Sequence, residues 1–276
     1  MKANDLHWPY TDKKIIMAYA LITGASKGIG KAIAHRLAER KYDLLLTARS
    51  ANLLKDLADD LSNRYGVQVK YLATDLSRSE AAAEILNYVE TEKLDVGILV
   101  NNAGYGLWGR FDKLGLQQQL SMVRLNNESL IALTYALLPV LKKHDQSYVL
   151  NIASTTAYQA IPYMSVYAAS KAFVVSFSRG LAGELKDSGV SVTCISPGAT
   201  DTNFMLQAGM NTPKLIASAN KVSMQPEDVA AQAVKALFNN KIEFVPGLLN
   251  KITAYANNLL PKRFVEGIAA NIYRSV

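Results

Sequence analysis

The fold of this chain is constrained above all by an alternation of short apolar runs, each closed by a small or polar turn, with longer amphipathic stretches. The first such unit is the clearest. AYALIT from Ala18 reads as a buried strand, GASKGIG turns the chain, and KAIAHRLAERK carries an apolar stripe at helical spacing. Glycines at positions 24, 28 and 30 permit a tight turn, close approach of a ligand to the backbone, and close packing of helix on strand. Free amides at the helix start, backed by the positive end of its dipole, suit a pyrophosphate. The spacing is GxxxGxG rather than GxGxxG, and Ala32 after Lys31 excludes a Walker loop.

The alternation continues. YDLLLTARS is a second strand ending at Arg49, and ANLLKDLADDLSNRYG a helix. VQVKYLATDLS holds a third strand and a loop with Asp75, SEAAAEILNYVETEK is helical, and LDVGILVNNAG is a fourth strand ending in Asn101, Asn102, Ala103 and Gly104. Residues 112 to 143 read mostly as one long helix with Asn126 and Asn127 in its middle, where asparagine is unfavourable and needs a reason. SYVLNIAS is a fifth strand delivering Ser154, MSVYAASKAFVVSFSRGLAGELKDSG a long helix, and VSVTCIS a sixth strand followed by PGATDT. Beyond residue 202 the pattern weakens: residues 203 to 224 read as a mixed, mobile segment, a helix starts at Pro226, and KIEFVPG is the last strand. This order predicts a single Rossmann-type α/β domain, a doubly wound parallel sheet between two helical layers, with its site at the carboxyl ends of the strands. The domain spans residues 17 to 247. Residues 1 to 16 form a polar, poorly ordered extension, with Met17 an alternative start, and residues 248 to 276 a basic amphipathic tail packed on the domain or on a second subunit.

Composition narrows the function classes. A chain of 276 residues, half of them hydrophobic, suffices for one well-buried domain. The net charge of +7 is scattered, with no run of five like charges, so no nucleic-acid surface is expected. Cys194 is the single cysteine, and the isolated His7, His35 and His144 lack metal-ligand spacing; neither a disulfide framework nor a metal site is expected. The amino terminus lacks the apolar core of a signal peptide, and the uncharged residues 146 to 170 are too polar to span a membrane. A soluble, cytoplasmic protein is the expectation.

The chemistry concentrates between Ser154 and Lys171. Tyr167 and Lys171 are four residues apart, so a helix stacks phenol and ammonium on one face. A free phenol, with a pKa near ~10, is a poor proton donor or acceptor near neutrality. A nearby cation favours the phenolate and lowers that value. Tyr158 and Tyr163 have no such partner, because Pro162 and Tyr167 follow them at the same spacing. At the end of the second strand, an acidic residue would accept from a ribose 2′-hydroxyl, whereas Arg49 suits a 2′-phosphate, with Lys27 adding a second cation. NADP(H) is thereby favoured over NAD(H); the plain alternative leaves Arg49 a solvated side chain.

Together these residues resemble the classical short-chain dehydrogenase/reductase family. The resemblance covers about residues 18 to 247 and rests on TGASKGIG at 23 to 30, Asp75, NNAG at 101 to 104, Asn126, the thirteen-residue gap from Ser154 to Tyr167, Lys171, and PG at 197 and 198. It implies a seven-stranded sheet in the order 3-2-1-4-5-6-7 and an NADP(H)-dependent enzyme interconverting a carbonyl and a secondary alcohol. Tyr167 would be the general acid/base, Ser154 would hydrogen-bond the reacting oxygen, and Lys171 would lower the tyrosine pKa and hold the nicotinamide ribose. Asn126, rather than its neighbour Asn127, would hold a proton-relaying water. Cofactor contacts are implied for Thr23, Gly24, Ser26, Lys27, Gly28, Ile29, Gly30, Arg49, Asp75, Leu76, Asn102, Ala103, Gly104, Tyr167, Lys171, Pro197, Gly198, Thr200 and Thr202. The family also implies a homodimer or homotetramer packed through the two long helices. The ending of the chain resembles 3-oxoacyl reductase-like and DltE-type members.

Tyr105, Leu107, Trp108, Ala157, Tyr158, Ile161, Tyr163, Phe204 and Met205 are candidates for an apolar substrate pocket, or for plain core. An apolar pocket suits a medium or large hydrophobic carbonyl. The competing reading is a non-catalytic dinucleotide-binding or redox-sensing protein on the same fold. An epimerase or dehydratase would need a longer carboxyl-terminal substrate domain.

Overall fold

Strand β1 (Tyr19–Thr23) is buried along its whole length, which is why its sequence is apolar throughout instead of alternating. A computed structural model describes residues 18–212, 215–216, 222–256 and 260–274; the extension expected over residues 1–16, with Met17, lies outside the described residues. β1 is followed by α1 (Gly28–Glu39), β2 (Asp43–Ala48), α2 (Ala51–Tyr65), β3 (Val69–Ala73), α3 (Ala81–Thr91) and β4 (Val96–Asn101). The second half holds α4 (Leu116–Val123), α5 (Ser129–Leu141), β5 (Ser147–Ile152), α6 (Ser165–Glu184), β6 (Val190–Ile195), the short α7 (Phe204–Gln207), α8 (Pro226–Phe238) and β7 (Glu243–Phe244). Two further helices, α9 (Leu248–Ala256) and α10 (Lys262–Tyr273), form the tail.

The strands make one parallel sheet in the order β3-β2-β1-β4-β5-β6-β7. Its reversal lies between β1 and β4, where a crevice opens at the carboxyl ends. Side chains alternate across each strand and so feed two separate cores. Ala20, Ile22, Leu44, Leu46, Ile98 and Val100 meet α1, α2 and α8 through Ile33, Leu37, Leu54, Leu61 and Val234. Leu21, Leu45, Val96, Leu99 and Val149 face α3 and α5 through Ile85, Val89, Leu133 and Leu137. The three layers follow from that alternation.

Two expectations change in detail. The helix expected from 112 to 143 begins at Leu116 and is interrupted by a π-helical turn, Arg124–Glu128, which separates α4 from α5. The last strand is only Glu243–Phe244, paired with β6 through Cys194 and Ile195. Cys194 is a buried free thiol.

Candidate active site

Thr23 ends β1 with its hydroxyl facing the crevice. It donates to Val100 O at 3.2 Å and accepts from the amides of Asn102 and Ala103, both at 2.9 Å. The Asn102 amide group returns to the carbonyls of Thr23 and Gly24 at 2.9 and 3.2 Å. The ends of β1 and β4 are thus sewn together beneath the glycine turn. Gly24 and Gly28 have φ of +63° and +55°, a region other residues avoid. At Gly30 the requirement is space: a Cβ would stand 2.4 Å from Asn102 Nδ2 and 2.5 Å from Gly24 O. Lys27 precedes α1 without capping it through its side chain, and the first turn holds no acidic residue. The helix therefore presents uncapped amides and no competing anion, which fits a diphosphate.

Arg49, Lys27 and Ser26 line the same end of the sheet, with both cations exposed. Neither cation makes an ion pair among the described residues. Asp75 after β3 accepts from Ser77 N at 3.0 Å and from Ser77 Oγ at 2.8 Å. The Ser77 amide holds the Asp75 carboxyl below its usual range, with Ser77 Oγ and Arg49 assisting against partial burial. The Leu76 side chain is buried in the core with α3.

Helix α6 brings Tyr167 and Lys171 to the ends of β4 and β5. Tyr167 is 6% exposed and Lys171 5%. Lys171 Nζ donates to Ile152 O at 2.9 Å and lies 6.0 Å from the centre of the Tyr167 ring. Burial lowers the lysine to about 8. Burial also raises the Tyr167 phenol above its ordinary value, opposed by a hydrogen bond with the Ser154 side chain and reinforced by Tyr273. In the protein by itself burial is the larger effect, and the phenol stays protonated at neutral pH. Ser154 caps the 3₁₀ turn Thr155–Tyr158, its Oγ accepting from Thr156 N at 3.2 Å.

Asn126 sits in the π-helical turn and is buried. Its Oδ1 accepts from Tyr105 N at 3.1 Å, and its Nδ2 donates to Tyr105 O and Ser170 Oγ, both at 3.0 Å. The side-chain amide thus clamps the loop after β4. Gly104, in that loop, leaves room a Cβ would fill 2.8 Å from Asn126 Oδ1 and 3.4 Å from Lys171 Nζ. Asn127 donates to Ser170 O at 2.8 Å, fixing α4–α5 on α6.

The segment after β6 closes the crevice. Pro197 O accepts from Thr155 N at 2.8 Å, Thr200 Oγ1 donates to Gly198 O at 3.1 Å, and Thr202 Oγ1 accepts from Phe204 N at 3.2 Å. Asn250 of α9 fills the space beside Gly198, where a Cβ would lie 2.5 Å from its Oδ1. Tyr105, Leu107, Trp108, Ile161, Phe204 and Met205 gather around Tyr167 in one apolar cluster, joined by Met122, Met164, Met210 and Tyr273. Phe204 packs on Tyr167 with ring centres 5.4 Å apart. Ala157 and Tyr158 do not join them. Tyr158 donates to Glu243 Oε1 at 2.7 Å, its oxygen lies 3.1 Å from the Ser196 hydroxyl, which donates to it, and with Ala157 it lines a separate cleft of about 600 Å³ beside Arg179, Tyr255 and Lys262. A polar network at the β6–β7 edge outbid the apolar site for that phenol. Tyr163, with φ of +69°, contributes its carbonyl to Gly109 N at 2.8 Å.

Tyr273, Met164 and Met122 carried no sequence signal beyond their place on apolar helix faces. Among the described residues no cluster of three or more His, Cys, Asp or Glu suits a metal, and no helix is long and apolar enough to cross a membrane.

A family model described as short chain dehydrogenase matches residues 18–212. A 7beta-hydroxysteroid dehydrogenase of Clostridium sardiniense is 29% identical over 244 residues, covering 88% of this chain and 91% of its own. A short-chain dehydrogenase from Sphingobium yanoikuyae, solved in complex with NADPH, superposes with a TM-score of 0.77 at 30% identity, covering 94% of this chain and 97% of its own. The bulky-bulky ketone specific alcohol dehydrogenase from Comamonas testosteroni does so with a TM-score of 0.74 at 27% identity, covering 94% and 96%. Strand order, glycine cradle and these matches agree: the chain belongs to the short-chain dehydrogenase family and is an oxidoreductase acting on CH–OH groups.

Proposed function

We propose that the protein is an NADP(H)-dependent oxidoreductase that interconverts a carbonyl and a secondary alcohol, with Tyr167 as its general acid/base. The observation that carries this reading is the placement of a buried phenol and a buried amine, one helical turn apart, beside the cradle built by Thr23, Gly24, Gly28 and Asn102. The cradle fits a dinucleotide: uncapped amides at α1 face a diphosphate, and exposed Arg49 and Lys27 favour a 2′-phosphate over a hydroxyl. The NADPH complex of the Sphingobium relative supports the same cofactor. When bound, the nicotinamide supplies or accepts the hydride.

The chain's own residues handle the proton and the geometry. In reduction Tyr167 gives its phenolic proton to the carbonyl oxygen, and in oxidation it takes the alcohol proton back. A phenol held protonated by burial is ready for the first of these. Ser154 Oγ, tied to Thr156 N, keeps a hydroxyl beside the reacting oxygen and stabilises charge developing there. Lys171, anchored on Ile152 O, keeps a cation near the phenol once the proton leaves. Asn126 positions the loop carrying Gly104 and Tyr105, while Pro197, Gly198, Thr200 and Thr202 wall the crevice opposite. The aromatic and methionine-rich cluster over Tyr167 supports a fairly apolar ketone as substrate, in line with the ketone specificity of the Comamonas relative.

The test follows oxidation of NADPH and NADH over a panel of carbonyls. Faster turnover with NADPH on hydrophobic ketones is the expected result, and a polar 3-hydroxy acid as best substrate would remove the apolar reading. Tyr167→Phe should keep NADPH affinity within a few-fold and cut kcat by roughly 10²–10⁴; an unchanged kcat would exclude Tyr167 from proton transfer.

A further inference from the structure

Helix α10 is apolar on two faces. Phe264, Ile268 and Ile272 are exposed, whereas Val265 and Ala269 are buried. Tyr273, one further step of four along the buried stripe, reaches the cluster that covers Tyr167. There its ring joins Met164, Ala208, Met210 and Phe204.

Its carbonyl, at the helix end where intrahelical donors run out, accepts from Trp108 Nε1 at 2.8 Å. Trp108 also donates its backbone amide to Ala208 O at 2.9 Å, and the next residue, Gly109, donates to Tyr163 O at 2.8 Å. One tryptophan therefore ties the loop after β4 to the segment after β6 and to the end of the chain, while its neighbour reaches the approach to α6. Burial holds the Tyr273 phenol above its usual value, and that phenol acts electrostatically on Tyr167. The two rings share one water-poor enclosure.

We propose that Tyr273, latched by Trp108, is a specificity-determining wall of the substrate cleft and sets the largest ketone that the cleft admits. The inference rests on the carbonyl-reducing reading of Tyr167. Apolar pocket walls discriminate by about 10–200-fold per methylene of misfit, so loss of a whole aromatic ring must show.

The experiment compares wild type, Tyr273→Phe and Tyr273→Ala with acetophenone and benzophenone, using NADPH. Tyr273→Ala should raise the benzophenone-to-acetophenone ratio of kcat/KM at least ~10-fold, through KM. Tyr273→Phe, which retains the ring, should restore the wild-type ratio. A ratio unchanged in Tyr273→Ala, with acetophenone still turned over, would overturn the wall and leave the reductase reading intact. If wild type reduces no ketone, the reductase reading falls, and amide hydrogen exchange judges the latch alone. Trp108→Phe should speed exchange in residues 262–273 at least ~10-fold while β1 and β4 keep their protection; unchanged protection of α10 would overturn the inference.

Discussion

Lys171 holds its ammonium 5% exposed, donating to Ile152 O, and burial lowers its pKa from 10.5 to about 8. An unfolded chain keeps that proton up to about 10.5, so between about 8 and 10.5 the unfolded state binds more protons and stability rises with pH. Below about 8 the lysine is charged in both states, and the folded protein carries the whole desolvation cost, on the order of 3 kcal/mol. Replacing Lys171 with Met should therefore stabilise the protein at pH 7 by ~1–3 kcal/mol, after allowing for the donor lost from Ile152 O. Denaturant titrations should find that gain shrinking as pH approaches 10.5; an equal gain at both pH values would refute the account. The spacing of Tyr167 and Lys171 was legible in the sequence because four residues make one helical turn. The sign of the Tyr167 shift was not, because desolvation depends on residues distant in sequence, such as Phe204, whose ring packs on the phenol.

Asn126 and Asn127 explain the interruption between α4 and α5. Adjacent asparagines in an apolar helix are a visible irregularity, and they mark a π-helical turn, a feature frequent at functional sites. The turn aims Asn126 at both backbone groups of Tyr105 and Asn127 at Ser170 O, joining three segments. Asn126→Ala would leave the amide and the carbonyl of Tyr105 without this partner, and it should cost ~1–3 kcal/mol of stability, measured by thermal or chemical unfolding. A variant as stable as wild type would show that the loop finds other partners. Sequence marked where the helix was unusual; the loop that this turn clamps lies twenty-one positions earlier and became apparent only once folded.

At the scale of the molecule, the faces of α4, α5 and α6 carry exposed Leu116, Leu120, Ile131, Tyr135 and Phe173, with Tyr135 82% exposed. Such a surface fits the homo-oligomer that the family resemblance implies, packed through the long helices. Light scattering should give a dimer or tetramer for wild type, and Tyr135→Asp should shift it towards monomer; a monomeric wild type at working concentration would end this expectation. The sequence by itself determined the alternating α/β layers, because alternation and glycine placement are local properties, while the strand order came through the family resemblance and is the order observed. Tertiary structure alone decided that Tyr158 serves the β6–β7 edge and that Tyr273, at the other end of the chain from the glycine turn, joins the apolar cluster that holds Tyr167. Those outcomes depend on which distant side chains win the same buried space, a competition that no local pattern encodes.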